Sequence, residues 1–135
     1  MGVSMFDLKT RILVIDDMMT MRKIVNKNLK ELGFTDLQEA ADGNLAWAAL
    51  TAANPPIQLI ISDWNMPNCS GLELLKKVRA DAKYAKVPFI MLTAEAEATQ
   101  VKEAVISGVT NYIIKPFTAD ALKQKLEQAH KKVTG

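Results

Sequence analysis

Four short apolar runs punctuate the chain, and each ends on a polar group. Ile12-Leu13-Val14-Ile15 runs into Asp16-Asp17, and Leu59-Ile60-Ile61-Ser62 runs into Asp63. Phe89-Ile90-Met91-Leu92 delivers Thr93, and Tyr112-Ile113-Ile114 delivers Lys115-Pro116. The first three runs are apolar at consecutive positions instead of alternating ones. That pattern predicts strands covered on both faces, as in a parallel sheet. A further strand is expected near Asp36 to Ala40, where the pattern is weakest.

Helical stripes lie between the runs. Val25, Leu29 and Leu32 share one face of a helix within Met18 to Leu32, and Gly33 ends it. Ala46, Ala49, Leu50 and Ala53 repeat the spacing before Asn54-Pro55-Pro56 breaks it. Leu72, Leu75 and Val78 mark a third helix, ended before Pro88. Val101, Ala104 and Val105 mark a fourth, closed by Gly108. Leu122, Leu126, Ala129 and Val133 mark a fifth, with Thr118 as its N-cap. The order is β-α five times over, which predicts an open α/β sheet with right-handed crossovers.

Composition bounds the rest. The 135 residues suffice for one domain, expected over residues 5–135, with 1–4 as an extension ahead of Met5. A chain this long buries about two-thirds of its unfolded surface without staples. Apolar content of 49% and charged content of 24% argue against disorder. A net charge of +2 is too small to recruit nucleic acid or membrane by bulk electrostatics. A single cysteine, Cys69, permits no intrachain disulfide, and no apolar stretch approaches the ~20 residues of a membrane span. A cytoplasmic location is expected.

In open α/β sheets, ligands bind outside the carboxyl ends of the strands. Asp16, Asp17, Asp63, Thr93 and Lys115 all map there. Carboxylates ~5 Å apart repel by roughly 3 kcal/mol per pair at an effective dielectric of 20. Three of them together call for a cation, a proton or both. Lys115 supplies one charge. An all-oxygen ligand set favours magnesium or manganese over zinc, since no His or Cys cluster exists. One carboxylate could then attack phosphorus, with metal and ammonium neutralising the charge that develops. Blander readings stand beside these. Asp16 or Asp17 could cap the following helix, and Thr93 could satisfy local backbone. His130 is expected in solvent, Trp64 over a loop, Cys69 as a small loop residue, and Met18, Met19 and Met21 in packing. No G-x-x-x-x-G-K-[ST] or G-x-G-x-x-G occurs, which disfavours nucleotide chemistry.

The motifs Ile15-Asp16-Asp17, Ser62-Asp63-Trp64-Asn65-Met66-Pro67, Leu92-Thr93-Ala94-Glu95 and Tyr112-Ile113-Ile114-Lys115-Pro116-Phe117 together resemble the receiver domains of two-component response regulators. The resemblance covers nearly the whole chain. Met21-Arg22-Lys23-Ile24-Val25 and Phe117-Thr118 narrow it to the single-domain chemotaxis regulators. It implies a flavodoxin-like fold with five helices around a five-stranded parallel sheet of order 2-1-3-4-5, an order this family is already known for. It further implies that Asp63 is the phosphoacceptor, becoming 4-aspartylphosphate. Asp16, Asp17, Asp63 and the Asn65 main-chain carbonyl would hold Mg2+, with Mn2+ as a substitute. Thr93 and Lys115 would bind the phosphoryl group. Thr93 and Tyr112 would form the switch, and Lys115-Pro116 would be cis. Asn65 and Glu95 would influence autodephosphorylation. Where chemotaxis members often carry lysines, Glu97 and Ala98 stand instead.

The implied partners are a chemotaxis histidine kinase and a flagellar motor switch protein, with room for a phosphatase; nucleic acid and membrane are not expected. The output face would carry Val101, Val105, Tyr112, Lys115, Phe117 and Lys125 on a monomer, with a dimer through that face as the alternative. Catalysis would extend only to the chain's own phosphorylation and dephosphorylation. Other readings stay open: a phosphorelay intermediate, a phosphate sink, a receiver fragment of a longer regulator, or a magnesium-dependent phosphatase with an Asp nucleophile.

Overall fold

The computed structural model describes residues 5–94 and 98–134, with main chain alone at 98 and 99. Strands and helices alternate as β1 (Ile12–Ile15), α1 (Met19–Glu31), β2 (Leu37–Ala40), α2 (Gly43–Ala52) and β3 (Leu59–Asp63). They continue as α3 (Gly71–Ala80), β4 (Phe89–Thr93), α4 (Ala98–Ile106), β5 (Asn111–Ile114) and α5 (Ala119–Thr134). The strands form one sheet of order β2-β1-β3-β4-β5, with every neighbouring pair parallel. Both the architecture and the strand order agree with the sequence reading.

The consecutive apolar runs arise because strand side chains alternate between faces and both faces are covered. Leu13, Ile15, Ile60, Phe89 and Met91 pack with Ala46 and Leu50 of α2, Leu74, Leu75 and Val78 of α3, and Ala104 of α4. Ile12, Val14, Leu59, Ile61, Ile90, Leu92 and Ile113 pack on the other side with Val25 and Leu29 of α1 and Leu122, Leu126 and Ala129 of α5. β2 is the faint strand because it is an edge. Only Ala40 of its four residues is buried. Thr118 caps α5 as expected, accepting from the Ala121 amide at 3.1 Å.

Several sequence expectations are corrected. Val133 leaves its helical stripe and stands 46% exposed, because the core ends before it reaches the last turn of α5. Val105, by contrast, is 58% exposed, as a residue of the expected output face should be. Met18 and Met19 are exposed and not packed; only Met21 lies against the core. Trp64 is buried in the core beside Cys69 instead of covering a loop. His130 is not simply solvated, since its ring meets Phe6 edge-on at 5.0 Å.

The turn from β3 into α3 leaves no room for a side chain at Gly71. A Cβ on Gly71 would fall on the Asp63 carbonyl and crowd the Met91 sulfur. The helix then starts on a capping box, with Ser70 Oγ accepting from the Glu73 amide and the Glu73 carboxylate accepting from the Ser70 amide. Gly71→Ala is expected to cost about 3 kcal/mol through overpacking against backbone. Ser70→Ala should cost about 1 kcal/mol through the lost cap. Urea melts give both values, and equal midpoints would mean that the β3–α3 turn yields to an added methyl.

Candidate functional site

The strand pleat decides which side chains meet. Asp16 continues the alternation Ile12-Val14, Asp63 continues Leu59-Ile61, and Lys115 continues Ile113. All five apolar residues lie in the core beneath α1 and α5. The two acids and the lysine therefore leave the sheet on one face. Thr93 continues Phe89-Met91, which belong to the opposite core, and Tyr112 packs against that same core.

Lys115 ties the acids together. Its Nζ donates to Asp63 Oδ1 at 2.8 Å and to Asp16 Oδ2 at 3.2 Å. Asp16 is fully buried, and its other oxygen, Oδ1, accepts from the Met18 amide at 2.9 Å. Met18, at the N-cap of α1, makes no side-chain capping bond. Oδ1 of Asp16 thus serves the helix start, while Oδ2 faces Lys115. Asp17 is exposed and makes no hydrogen bond or ion pair among the described residues. One carboxylate oxygen from each of Asp16, Asp17 and Asp63 lies within 4.8 Å of the others. Asn65 is exposed on the loop that follows Asp63.

Thr93 is buried at the end of β4, and its Oγ1 donates to Gln100 Oε1 of α4 at 3.3 Å. Its carbonyl accepts from the Lys115 amide at 2.8 Å. Tyr112 stands apart from the acids. It is half-buried on β5, opposite Met91, with the Lys125 ammonium 4.9 Å from its ring centroid. The Lys115-Pro116 bond is cis, as the resemblance implied. Glu95, Glu97 and the Ala98 side chain lie outside the described residues.

Two contacts had no strong sequence signal. Gln100 meets Thr93 only because α4 folds back over the end of β4. Arg22 lies within a motif quoted for resemblance, yet no spacing assigns it a contact. It donates from Nη1 to the Asp16 carbonyl at 2.7 Å while its Nε pairs with Glu39 at 2.9 Å.

Electrostatically the site is unbalanced. Three carboxylates and one ammonium leave two negative charges, which a divalent cation would neutralise. The donors are hard oxygens, which suit magnesium, manganese or calcium. Burial pushes the Asp63 carboxyl above its usual range; the Lys115 hydrogen bond opposes this and the Asp16 charge adds to it. Burial alone would lower Lys115, but the bonds and charges of Asp63 and Asp16 outweigh it and hold its pKa above normal.

These shifts have a stability sign. A carboxyl raised by folding favours the native state while it is protonated. That advantage is lost as pH rises through its native pKa. Metal-free Asp63→Asn should therefore be more stable than the natural chain at neutral pH, by on the order of 1 kcal/mol. The gap should close as pH falls through the carboxylate range. Thermal melts in a chelator across that range test it, and a gap that is independent of pH would refute the account in which burial, helped by the Asp16 charge, disfavours ionised Asp63.

Comparison with known proteins gives the family. The model of the response regulator receiver domain matches residues 12–127. The chain is 44% identical over 125 residues to chemotaxis protein CheY of Pseudomonas aeruginosa, covering 93% of this chain and 99% of that one. It is 50% identical over 117 residues to a CheY homolog of Campylobacter jejuni, covering 87% and 89%. Among solved structures, the chemotaxis response regulator CheY4 of Vibrio cholerae superimposes with a TM-score of 0.81 at 33% identity, covering 90% of this chain and 98% of that one. With the receiver match spanning the whole sheet and the relatives covered almost end to end, the chain belongs to the response regulator receiver family, as a CheY-like chemotaxis regulator.

Proposed function

We propose that this protein is a phosphorylation-activated switch that takes a phosphoryl group from a chemotaxis histidine kinase onto Asp63 and signals by binding a flagellar motor switch protein. The observation that carries the reading is Lys115 Nζ bridging Asp63 and Asp16 beside the carboxylate of Asp17, which has no partner among the described residues. Asp16, Asp17, Asp63 and the Asn65 carbonyl would hold magnesium, or manganese in its place. The cation would neutralise charge on the transferring phosphoryl oxygens.

The chain's own residues supply the rest. Lys115 holds Asp63 by one oxygen, which orients the carboxylate toward solvent-side phosphorus. A carboxylate oxygen attacks the phosphorus of a phosphohistidine. The P–O bond forms as the P–N bond breaks, and the imidazole leaves. Lys115 then pairs with the added charge, and the Thr93 hydroxyl can turn from Gln100 to donate to a phosphoryl oxygen. Transfer of this kind needs position and charge more than covalent help from the protein. The chain would thus catalyse only its own modification and its reversal by water, with or without a phosphatase.

Output would use the face of α4, β5 and α5. Val105, Ile106 and Ile114 expose apolar surface there, at 58%, 75% and 40%. Tyr112 under Lys125 lies on the same face. Movement of Thr93 would free space for Tyr112 to turn inward. A cytoplasmic location goes with this reading, and no described helix is long and apolar enough to cross a membrane.

Intact-mass spectra after treatment with a small phosphodonor and magnesium should show one phosphate per chain. Asp63→Asn should show none, and Lys115→Ala should accept phosphate yet fail to signal. An unchanged adduct on Asp63→Asn would overturn the assignment. Light scattering of the beryllofluoride-treated chain should find a monomer that binds a motor switch peptide. A stable dimer that ignores the peptide would favour a phosphorelay or fragment role.

A further inference from the structure

The loop that follows Asp63 is bent through a turn that its own hydrogen bonds hold only in part. It is pinned at one end where the Trp64 amide donates to Leu92 and the Gly71 amide donates to the Trp64 carbonyl. Between these points the Cys69 amide donates to the Pro67 carbonyl at 2.7 Å. Asn68, at the centre of that three-residue turn, has φ of 67°. A γ-turn with a left-handed centre is rare and strained, and it persists only when its surroundings hold it.

What holds it comes from another loop. Asn68 Nδ2 donates to Asp42 Oδ2 at 3.0 Å. The Gly43 amide donates to the Cys69 carbonyl at 3.2 Å. The two loops touch so closely that a Cβ on Gly43 would meet Cys69. Asp42 is itself fixed, because its Oδ1 accepts from the Leu45 amide at 2.8 Å as the N-cap of α2. Capping needs only that one oxygen. The second oxygen reaches 26 residues along the chain to Asn68. The Leu45 amide first, and then the Asn68 amide, hold the Asp42 carboxyl below its usual range, so it remains a charged acceptor. Neither residue belongs to the acid cluster.

We infer that Asp42 and Asn68 are a positioning pair: through the β3–α3 loop they fix where the Asn65 carbonyl stands relative to Asp16, Asp17 and Asp63, and so set the affinity of the site for its cation. The inference rests on the proposed metal site. Asn68 suits the place on two grounds. Asparagine tolerates a positive φ better than other residues with side chains, and its amide can donate. Glycine would keep the backbone and lose the donor. Aspartate would set a carboxylate against Asp42.

Magnesium titration of the folded chain tests this, read by Trp64 emission in a Trp47→Phe background. Asn68→Gly is expected to weaken magnesium binding roughly 10-fold, as loss of an outer partner of a metal ligand does. Asn68→Asp should weaken it further. Asp42→Asn keeps the α2 cap and should also weaken it. The reversed pair, Asp42→Asn with Asn68→Asp, restores a donor facing an acceptor and should return affinity to within about twofold of the parent. A role in folding alone would lower the melting temperature of the single variants and leave the magnesium affinity of the folded chain unchanged. If Asn68→Gly and Asn68→Asp both bind magnesium as the parent does, while Asp17→Ala loses it, the positioning role is wrong and the metal site stands. If Asp17→Ala also binds unchanged, the metal site itself is wrong.

Discussion

The structure is organised around an ammonium shared by two carboxylates from distant parts of the chain. Lys115 reaches Asp16 across 99 residues of sequence and Asp63 across 52. These contacts exist only if β1 and β3 are parallel neighbours and β5 lies on the same side of β1 as β3, two strands beyond it. The sheet order supplies that arrangement. The pleat then turns all three side chains to one face. Misplacing a strand by one residue would send its functional group to the opposite core. Such a slip would set Asp16, Asp63 or Lys115 against apolar side chains, and the cost of burying an unpaired charge there keeps the register.

That arrangement works against the native state. Asp63 is held above its usual pKa by burial, and the single lysine cannot balance three acids. A chain selected for stability alone would place an amide or an apolar group at one of these positions. The imbalance suits the site to a divalent cation, whose two charges would offset it. The bulk of the two cores carries this cost. Leu13, Ile60, Phe89 and their neighbours are fully excluded from water, and removing any large one would cost several times the local repulsion.

Much of this was legible in the sequence, for a physical reason. Parallel strands buried on both faces write themselves as unbroken apolar runs, and the residue after each run is placed by the strand end. The acids, Thr93 and Lys115 were found that way. β2 was faint because an edge strand with one buried residue leaves no such run. Val133 was misjudged because a helical stripe records spacing and not how far the core extends. Trp64 was misjudged because the sequence does not show that the β3–α3 loop folds its indole inward. Gln100, Arg22 and the Asp42–Asn68 contact were beyond reach. Each joins side chains whose proximity depends on how loops and helix ends settle, and no local period encodes that.

The anchorage of the helices also differs in a way that bears on signalling. α5 sets three residues, Leu122, Leu126 and Ala129, wholly inside the core. α3 does nearly the same with Leu74, Leu75 and Val78. Among the described residues of α4, only Ala104 is buried, and a methyl group is a small anchor. Segments with few buried apolar contacts shift at low cost. α4 also carries Gln100, which accepts from Thr93, and Thr93 in turn shares its carbonyl with the Lys115 amide. The least anchored helix is therefore hydrogen-bonded to the strand end beside the acids. Asp63 and Thr93 leave the sheet on opposite faces. Under the proposed function, a charge added at Asp63 would act on α4 around the strand end, through the Thr93 hydroxyl. With Ala104 as its one buried residue among those described, α4 is the helix that a hydrogen bond would reposition at least cost.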